Sequence, residues 1–244
     1  MTHYLRRVWS IRVAFILMLT LVQAGCGPGK RHYNFVNPYP GTRSLAVVPF
    51  LNQSGSGAVD TIAVTDEFYT QLQQIDGFEV MPVNRVLSTF LRQGINNISN
   101  PGDALALADL LKVDAVIVGS ITRYDPYFPP CIGMAIQVYA RDRKGADAPR
   151  IDPAKLSLAA RPFELESNSQ MWPRAMVVRI FDANLKKTQK RIKKYEKLHG
   201  EEENPLSWKK YTTSRKYLSF VSHEIIGELL AQERDRLRSS KQGD

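Results

Sequence analysis

The alternation of apolar and polar positions predicts a layered α/β domain over residues 44–181. The continuous apolar run at residues 45–51 is typical of a strand that is covered on both faces, and residues 114–121 form the clearest predicted strand. Between them, apolar residues recur at helical spacing, and a shorter strand is predicted at residues 78–83. Because Pro49 lacks an amide donor, we expect the first strand to be irregular at that point. The order strand, helix, strand, helices, strand is the signature of α/β layering.

Capping residues mark where the helices of this domain begin and end. The first helix is predicted from about Val59, and Gly77 is placed to end it. Asn84 is the predicted cap of the second helix, which Gly94 stops, and Asp103 is the predicted cap of the third. A capping side chain accepts a hydrogen bond from a free amide at the start of a helix, and a glycine lets the chain turn so that the last carbonyls find partners.

The second half of the domain is predicted to form antiparallel strands. Residues 134–140 and 176–181 share a loose alternation, which places one face of each strand on the core. Residues 124–133 hold three prolines and are interpreted as a loop. Residues 141–173 hold four prolines and many charges, so they are interpreted as a long insertion. The predicted fold class is α/β, with a mixed sheet of about five strands and flanking helices.

Residues 182–244 are predicted to be a helical C-terminal extension. Asp182 is the predicted cap of a basic helix, and Ser207 is the predicted cap of a second helical tract from Trp208. Apolar residues at helical spacing give this second tract a broad apolar face. They are Tyr217, Leu218, Val221, Ile225 and Leu229. Residues 234–244 are interpreted as a solvated tail.

The first 25 residues have the pattern of a lipoprotein export signal. Three arginines precede an apolar run at residues 13–22, and two small residues precede Cys26. The run is about half the roughly 20 residues that cross a bilayer, so a permanent transmembrane helix is the weaker alternative. We therefore predict a signal peptide at residues 1–25, lipidation of Cys26, and a tether at residues 26–43.

Charge and cysteine content narrow the classes of function. The chain holds 33 Lys and Arg against 24 Asp and Glu, and the leader contains no acidic residue, so the mature chain stays basic. Lipidation of Cys26 leaves Cys131 without an intrachain partner, and Cys131 is interpreted as a small buried side chain rather than a reactive thiol. The four histidines have no metal-ligand spacing, and no cofactor is predicted. Export argues against nucleic acid as a partner.

No catalytic constellation is recognised in the sequence. His223 and Glu224 are neighbours on a predicted helix, where adjacent residues point away from each other. Gly55 and Gly57 follow a strand, but no Lys-Ser/Thr pair comes after them, as a phosphate-binding loop requires. Catalysis is therefore not expected, and a hydrolytic enzyme is kept only as a second alternative.

The predicted basic helix carries the strongest candidate for a surface site. Four of its lysines recur at helical spacing, so they share one face. They are Lys186, Lys190, Lys193 and Lys197. These side chains are candidate contacts for anionic phospholipid or for an acidic protein partner. The alternative is an ordinary solvated helix whose charge is balanced by Glu196 and by residues 201–203.

Four segments of the domain carry a family resemblance. They are the apolar strand that ends in Pro-Phe at residues 45–50 with Asn52, the helix around residues 66–68, Gly-Phe-Glu-Val at residues 77–80, and the Ala-to-Gly element at residues 108–119. Together they resemble the CsgG/LpoB-like superfamily of bacterial lipoproteins. The match covers about residues 44–181, and its motifs are structural.

The resemblance implies a periplasm-facing α/β domain, tethered by a lipidated cysteine, that acts by protein contact. Members of the group include the curli secretion channel and activators of peptidoglycan synthases. The expected function is a protein-binding or assembly module of the envelope, with an oligomeric component of a secretion apparatus as the alternative. Gly27 after the cysteine follows the family's usual pattern for transport to the outer membrane. The chain departs from the family at Gln23, where an aliphatic residue is usual, and at Lys112-Val113, where Gly-Ala is commoner.

Replacing Cys26 with Ala is expected to abolish lipid incorporation and to release the protein from the membrane fraction, because this thiol is the predicted acylation site. Incorporation of labelled fatty acid and membrane fractionation measure the two effects, with Cys131→Ala as the matched control. A Cys26→Ala protein that stays membrane-bound with unchanged lipid content would identify the uncleaved leader as the anchor.

Overall fold

A six-stranded mixed sheet organises the fold, with helices on both of its faces. The computed structural model describes residues 35–140, 173–199 and 205–242. The strands are β1 (Arg43–Val47), β2 (Leu51–Asn52), β3 (Phe78–Met81), β4 (Ala115–Asp125), β5 (Cys131–Ala140) and β6 (Ala175–Asp182). The helices are α1 (Thr61–Leu72), α2 (Val83–Gln93), α3 (Pro101–Leu111), α4 (Lys186–Leu198), a 3₁₀ helix (Ser207–Thr212) and α5 (Ser214–Gln242). This arrangement confirms the predicted fold class.

Part of the predicted N-terminal region and of the predicted insertion lies outside the described residues. The signal peptide, Cys26 and the tether up to residue 34 belong to that part, as do residues 141–172 and 201–203. Within the described ranges, no helix is both long enough and apolar enough to cross a membrane.

The sheet combines a parallel half with an antiparallel half. Its strand order is β3-β1-β4-β5-β6, and β2 also pairs with β4. β1 runs parallel to β3 and β4, while β5 is antiparallel to β4 and β6. β1 and β2 pair with successive parts of β4, and the pairing is interrupted around Pro49. At this interruption the Phe50 amide donates to the Thr65 hydroxyl of α1 over 2.9 Å. The irregularity predicted from the missing amide of Pro49 is confirmed.

The helix α2 begins one residue before its predicted cap. Pro82 precedes the helix, Val83 is its first residue, and no side chain caps it, so the prediction of Asn84 as the cap is wrong. Val83 is buried as the first residue of the helix, so the helix begins with an apolar side chain in the core and not with a polar cap. Gly94 ends α2 in the left-handed conformation, with φ of 62°, as predicted.

The helix α3 begins three residues before the position that the sequence indicated. Its cap is Asn100, whose side chain accepts the Asp103 amide over 3.0 Å. The Asp103 carboxylate returns a bond to the Asn100 amide, which completes a capping box. Pro101 occupies the first helical position, where its missing amide has no cost. Asp103 therefore stabilises the start of the helix from within the first turn and is not its cap.

The proline-rich connection is shorter than predicted because β4 and β5 extend into it. β4 runs to Asp125, β5 starts at Cys131, and these two residues face each other across the ladder. Only residues 126–130 form the connection, and they contain all three prolines, which cannot donate within a ladder. The interpretation of residues 124–133 as a loop is therefore wrong at both ends.

Boundaries in the C-terminal part also need correction. Asp182 ends β6 and accepts the Asn184 amide in a turn over 2.8 Å, so it is not the cap of α4, which begins four residues later. Ser207 opens a 3₁₀ helix that no side chain caps. α5 continues to Gln242, so residues 234–242 of the predicted tail are helical.

The helices α1 and α5 cover one face of the sheet, and α2 and α3 cover the other. All five members of the predicted apolar face of α5 are buried, which confirms that prediction. The Tyr217 hydroxyl of α5 also donates to the Phe181 carbonyl of β6 over 3.0 Å. On the opposite face, Leu107 of α3 packs with Val116 of β4. Full burial of one such apolar side chain contributes about 1.5–3 kcal/mol.

β6 lies at one edge of the sheet, and a side chain of α5 pairs with that edge. The Met176 amide donates to Gln232 Oε1 over 2.9 Å, and Gln232 Nε2 donates to the Met176 carbonyl over 2.9 Å. Arg179 Nη1 donates to the Val178 carbonyl over 3.0 Å. The Gln232 amide therefore uses the backbone groups through which a further strand would pair, and this protects the edge against association with another chain.

Replacing Gln232 with Met is expected to lower the free energy of unfolding by about 1–2 kcal/mol, because two hydrogen bonds are lost. It is also expected to increase self-association, because the β6 edge becomes available. Urea denaturation and sedimentation velocity measure the two effects. Gln93→Met, at an exposed position on α2, is the matched control. A Gln232→Met protein that matches this control in both measurements contradicts the edge-protecting role.

Candidate functional site

The four predicted lysines lie on one exposed stripe of α4. With 3.6 residues per turn, their positions fall within about 60° of the helix circumference. They are Lys186, Lys190, Lys193 and Lys197, all exposed. The opposite side of α4 is buried and includes Ile192 and Tyr195. The spacing in the sequence therefore grouped side chains that share one solvent-facing surface.

Two aromatic rings link this stripe to the 3₁₀ helix and to α5. Lys193 Nζ lies 5.9 Å from the centre of the Trp208 ring. Lys210 Nζ and Lys216 Nζ lie 5.8 Å and 5.1 Å from the centre of the Tyr211 ring. Each such cation–π contact contributes about 0.5–1 kcal/mol at an exposed site. The four lysines of α4, together with Lys210 and Lys216, are called the basic surface below.

Sequence reasoning did not include Lys210 and Lys216 in the candidate site. A signal was present, because Trp208-Lys-Lys-Tyr211 alternates aromatic rings with cations in a way that favours their contact. The position of Lys216 above Tyr211 depends on the turn from the 3₁₀ helix into α5, which local spacing does not predict.

The acidic residue proposed to balance this helix is buried. Glu196 is 2% exposed and lies on the side of α4 that faces the domain. It is also the only acidic residue within α4. Glu196 therefore does not lie beside the exposed lysines, and the alternative of a solvated helix with balanced charge cannot use it at that stripe.

An ion-pair network fixes α4 against α5 and β6. Arg191 Nε of α4 donates to the Glu224 carboxylate, and Arg191 Nη2 lies 3.0 Å from Glu228 Oε1. Arg179 Nε of β6 lies 2.8 Å from the other carboxylate oxygen of Glu228. The Arg191 guanidinium also lies 5.3 Å from the centre of the Phe181 ring. Burial raises the pKa of Glu224 and Arg191 opposes that shift, so the pair is held together in a half-buried setting.

His223 of α5 lies in a buried aromatic cluster between α4 and α5. Its ring centre is 4.4 Å from that of Phe35 and 4.9 Å from that of Tyr195. The residue is 5% exposed. Burial lowers the pKa of His223 to about 4, and the positive charges of His199 and Lys194 add to this effect. The neutral imidazole is therefore the form that the folded protein accommodates.

The arrangements considered for catalysis or phosphate binding are not assembled. His223 faces aromatic rings while Glu224 faces an arginine, which confirms that the two point apart. In the glycine-containing loop after β2, the Ser54 amide donates to the Asn52 side chain and the Ser56 amide donates to the Ser54 hydroxyl. These two loop amides are thus already bonded within the loop.

Cys131 occupies a buried position at the start of β5. Burial raises the pKa of its thiol, which favours the protonated, unreactive form. Among the residues that the structure describes, no three His, Cys, Asp or Glu side chains converge so that they could hold a metal ion.

No protein-family model matches this chain, and no curated protein matches it in sequence. Solved structures do resemble it. Hypothetical protein CT253 from Chlamydia trachomatis is 11% identical, with a TM-score of 0.38, over 79% of this chain and 98% of that one. Lipoprotein GNA1162 from Neisseria meningitidis is 23% identical, with a TM-score of 0.34, over 40% and 69%. The LpoB C-terminal domain from Escherichia coli is 12% identical, with a TM-score of 0.32, over 42% and 74%. Bacterial lipoproteins are thus among the structures that this chain is similar to.

Lowering the pH is expected to destabilise the protein through His223. The unfolded state protonates this residue near pH 6.5 and the folded state only near pH 4, so stability is lost as the pH falls through that window. The free energy of unfolding falls by roughly 3 kcal/mol by the time the pH reaches the lower end of this window. Urea titrations at several pH values measure it.

The variant His223→Phe keeps a ring in the cluster and removes the titrating group, so it is expected to lose less stability than the wild type over the same pH range. Gln93→Phe, at an exposed position on α2, adds a ring without removing a titrating group, so it is the control and keeps the wild-type dependence. Identical pH dependence in wild type and His223→Phe contradicts this role of His223.

Proposed function

We propose that this chain is a lipid-anchored protein of the bacterial envelope that serves as a protein-binding or assembly module and performs no catalysis. The observation that carries the proposal is the basic surface, in which four of the lysines form a row on a helix whose other side is fixed to the domain. The export signal that ends at Cys26 and the resemblance to envelope lipoproteins support the location.

An acidic protein surface is the partner whose chemistry fits the basic surface. Complementary charge speeds association and rejects wrong partners, and lysines at the rim of an interface act in this way. Because Arg191 fixes α4, the row of lysines keeps its spacing before the partner arrives. On binding, a partner has to immobilise only the ends of the lysine side chains, because the helix is already fixed, and this lowers the entropic cost of binding.

The proposed anchor explains how the domain reaches such a partner. Acylation of Cys26 would hold the chain at the membrane, which we propose is the outer membrane with the domain facing the periplasm. The predicted tether of about 17 residues spans some tens of Å when extended. The domain can then search a shell above the membrane while remaining attached to it.

A second candidate is an oligomeric component of a secretion apparatus. Three apolar side chains of β6 favour it, because they form a row on the sheet that remains substantially exposed. Met176, Val178 and Ile180 are 45%, 47% and 60% exposed. Exposed apolar rows of this kind mark association surfaces. Particle size after gentle detergent extraction separates the two candidates, because a ring of many copies supports the second and a monomer contradicts it.

Reversing the four lysines of α4 to Glu is expected to abolish capture of envelope proteins by the full-length protein, because the surface then repels an acidic partner. Quantitative mass spectrometry of pull-downs from envelope fractions measures the loss for each captured protein. The matched control reverses four exposed arginines elsewhere, which changes the net charge equally. They are Arg85, Arg92, Arg234 and Arg238.

A vesicle-flotation arm decides between protein and lipid as the partner. Capture that disappears in the lysine variant and persists in the arginine control supports the proposal. Unchanged capture by the lysine variant contradicts it. Loss of flotation with anionic phospholipid vesicles, without loss of any captured protein, assigns the basic surface to the membrane instead. Circular dichroism confirms that each variant is folded.

A further inference from the structure

A recess of about 670 Å³, counting the part that is open to solvent, lies between the sheet and α5. Its cavity volume, with the open solvent left out, is about 70 Å³. Most of its lining side chains are apolar, and the aliphatic ones come mainly from β1, β4, β5 and α5. They include Leu45, Ile117, Val138, Ile226, Leu229 and Leu230. Nothing in the proposed function uses this space.

Polar lining residues come together at the end of the sheet where β1 and β4 begin, and this end is called the rim of the recess below. The two acidic ones already have partners: the Asp114 carboxylate accepts the Ser44 amide over 2.9 Å, and the Glu233 carboxylate accepts the Tyr39 hydroxyl over 2.6 Å. Glu233 also pairs with Arg236. Burial raises the pKa of Tyr39, which keeps its hydroxyl protonated as the donor to Glu233. The acidic groups are thus engaged in holding the rim together.

The rim also carries two arginines, and one of them has an unused donor. Arg174 Nε donates to the Ala140 carbonyl over 3.0 Å. The Arg43 guanidinium lies 4.8 Å from the centre of the Tyr39 ring, and its Nε is buried without a hydrogen-bond partner among the described residues. A buried donor of this kind is rare in folded proteins, and an anion is the group that it would bind most strongly.

We propose that this recess binds an amphiphile with a single alkyl chain and an anionic head group. The alkyl chain lies among the aliphatic walls between the sheet and α5, and the head group accepts a hydrogen bond from Arg43 at the rim. A flexible chain suits walls made of aliphatic side chains with polar groups at one end only. Carboxylate and phosphate share the required chemistry, so a free fatty acid and a single-chain phospholipid are the two sources.

Calorimetric titration of the full chain tests the proposal with three probes of equal chain length: dodecanoic acid, dodecyl phosphate and uncharged dodecanol. The protein is held in a steroid-based detergent that carries no alkyl chain, so the detergent does not mimic the ligand. We expect at least one anionic probe to bind at least tenfold more tightly than dodecanol, because the charged head group engages Arg43. The preferred anion identifies the source.

Two variants separate the parts of the proposal. Arg43→Gln is expected to weaken the anionic probe about tenfold and to leave dodecanol unchanged, with Arg92→Gln on α2 as the matched control. Leu229→Trp fills the recess and is expected to abolish binding of all three probes. Equal affinity for the three probes, or an Arg43→Gln protein that binds like the control, overturns the proposal even if Leu229→Trp does not fold. If none of the three probes binds, the proposal is overturned as well.

Discussion

The packing of α5 across one face of the sheet is the interaction on which the rest of the structure depends. Its apolar side buries Val221 and Ile225, and the same helix supplies polar groups to three other parts of the fold. Glu228 holds α4 through an ion pair, Gln232 pairs with the edge of β6, and Glu233 binds the segment before β1. The apolar contact of α5 with the sheet provides most of the stabilising free energy, and the polar contacts fix where α4, β6 and the segment before β1 lie along α5.

The helix α4 shows two uses of positive charge on one element. Arg191 is half-buried and bridges two carboxylates, a task for which a planar guanidinium with several donors is suited. The lysines on the other side are hydrated point charges that remain in solvent. The buried cation therefore determines where the helix lies, and the exposed cations determine what the helix presents.

Local patterns in the sequence predicted the elements, and contacts between distant residues decided the rest. Burial imposes a period on apolar residues, so the strands and helices could be located. Asn84 and Asp103 were wrong as caps because several residues near a helix start can serve, and packing or a proline decides among them. The lysine stripe followed from spacing alone. The contact of Gln232 with Met176 spans 56 residues, and Tyr39 and Glu233 at the recess are 194 residues apart, so no local pattern marks either feature.

The bond between Gln232 and Met176 also has a consequence in time. A ribosome makes the chain from its N-terminus at roughly 5–20 residues per second, so the 56 residues between the two positions take roughly 3–11 s to appear. During that interval β6 exists without the side chain that closes its edge. The growing chain therefore leaves these backbone groups of β6 open to pairing with other chains until Gln232 has been made.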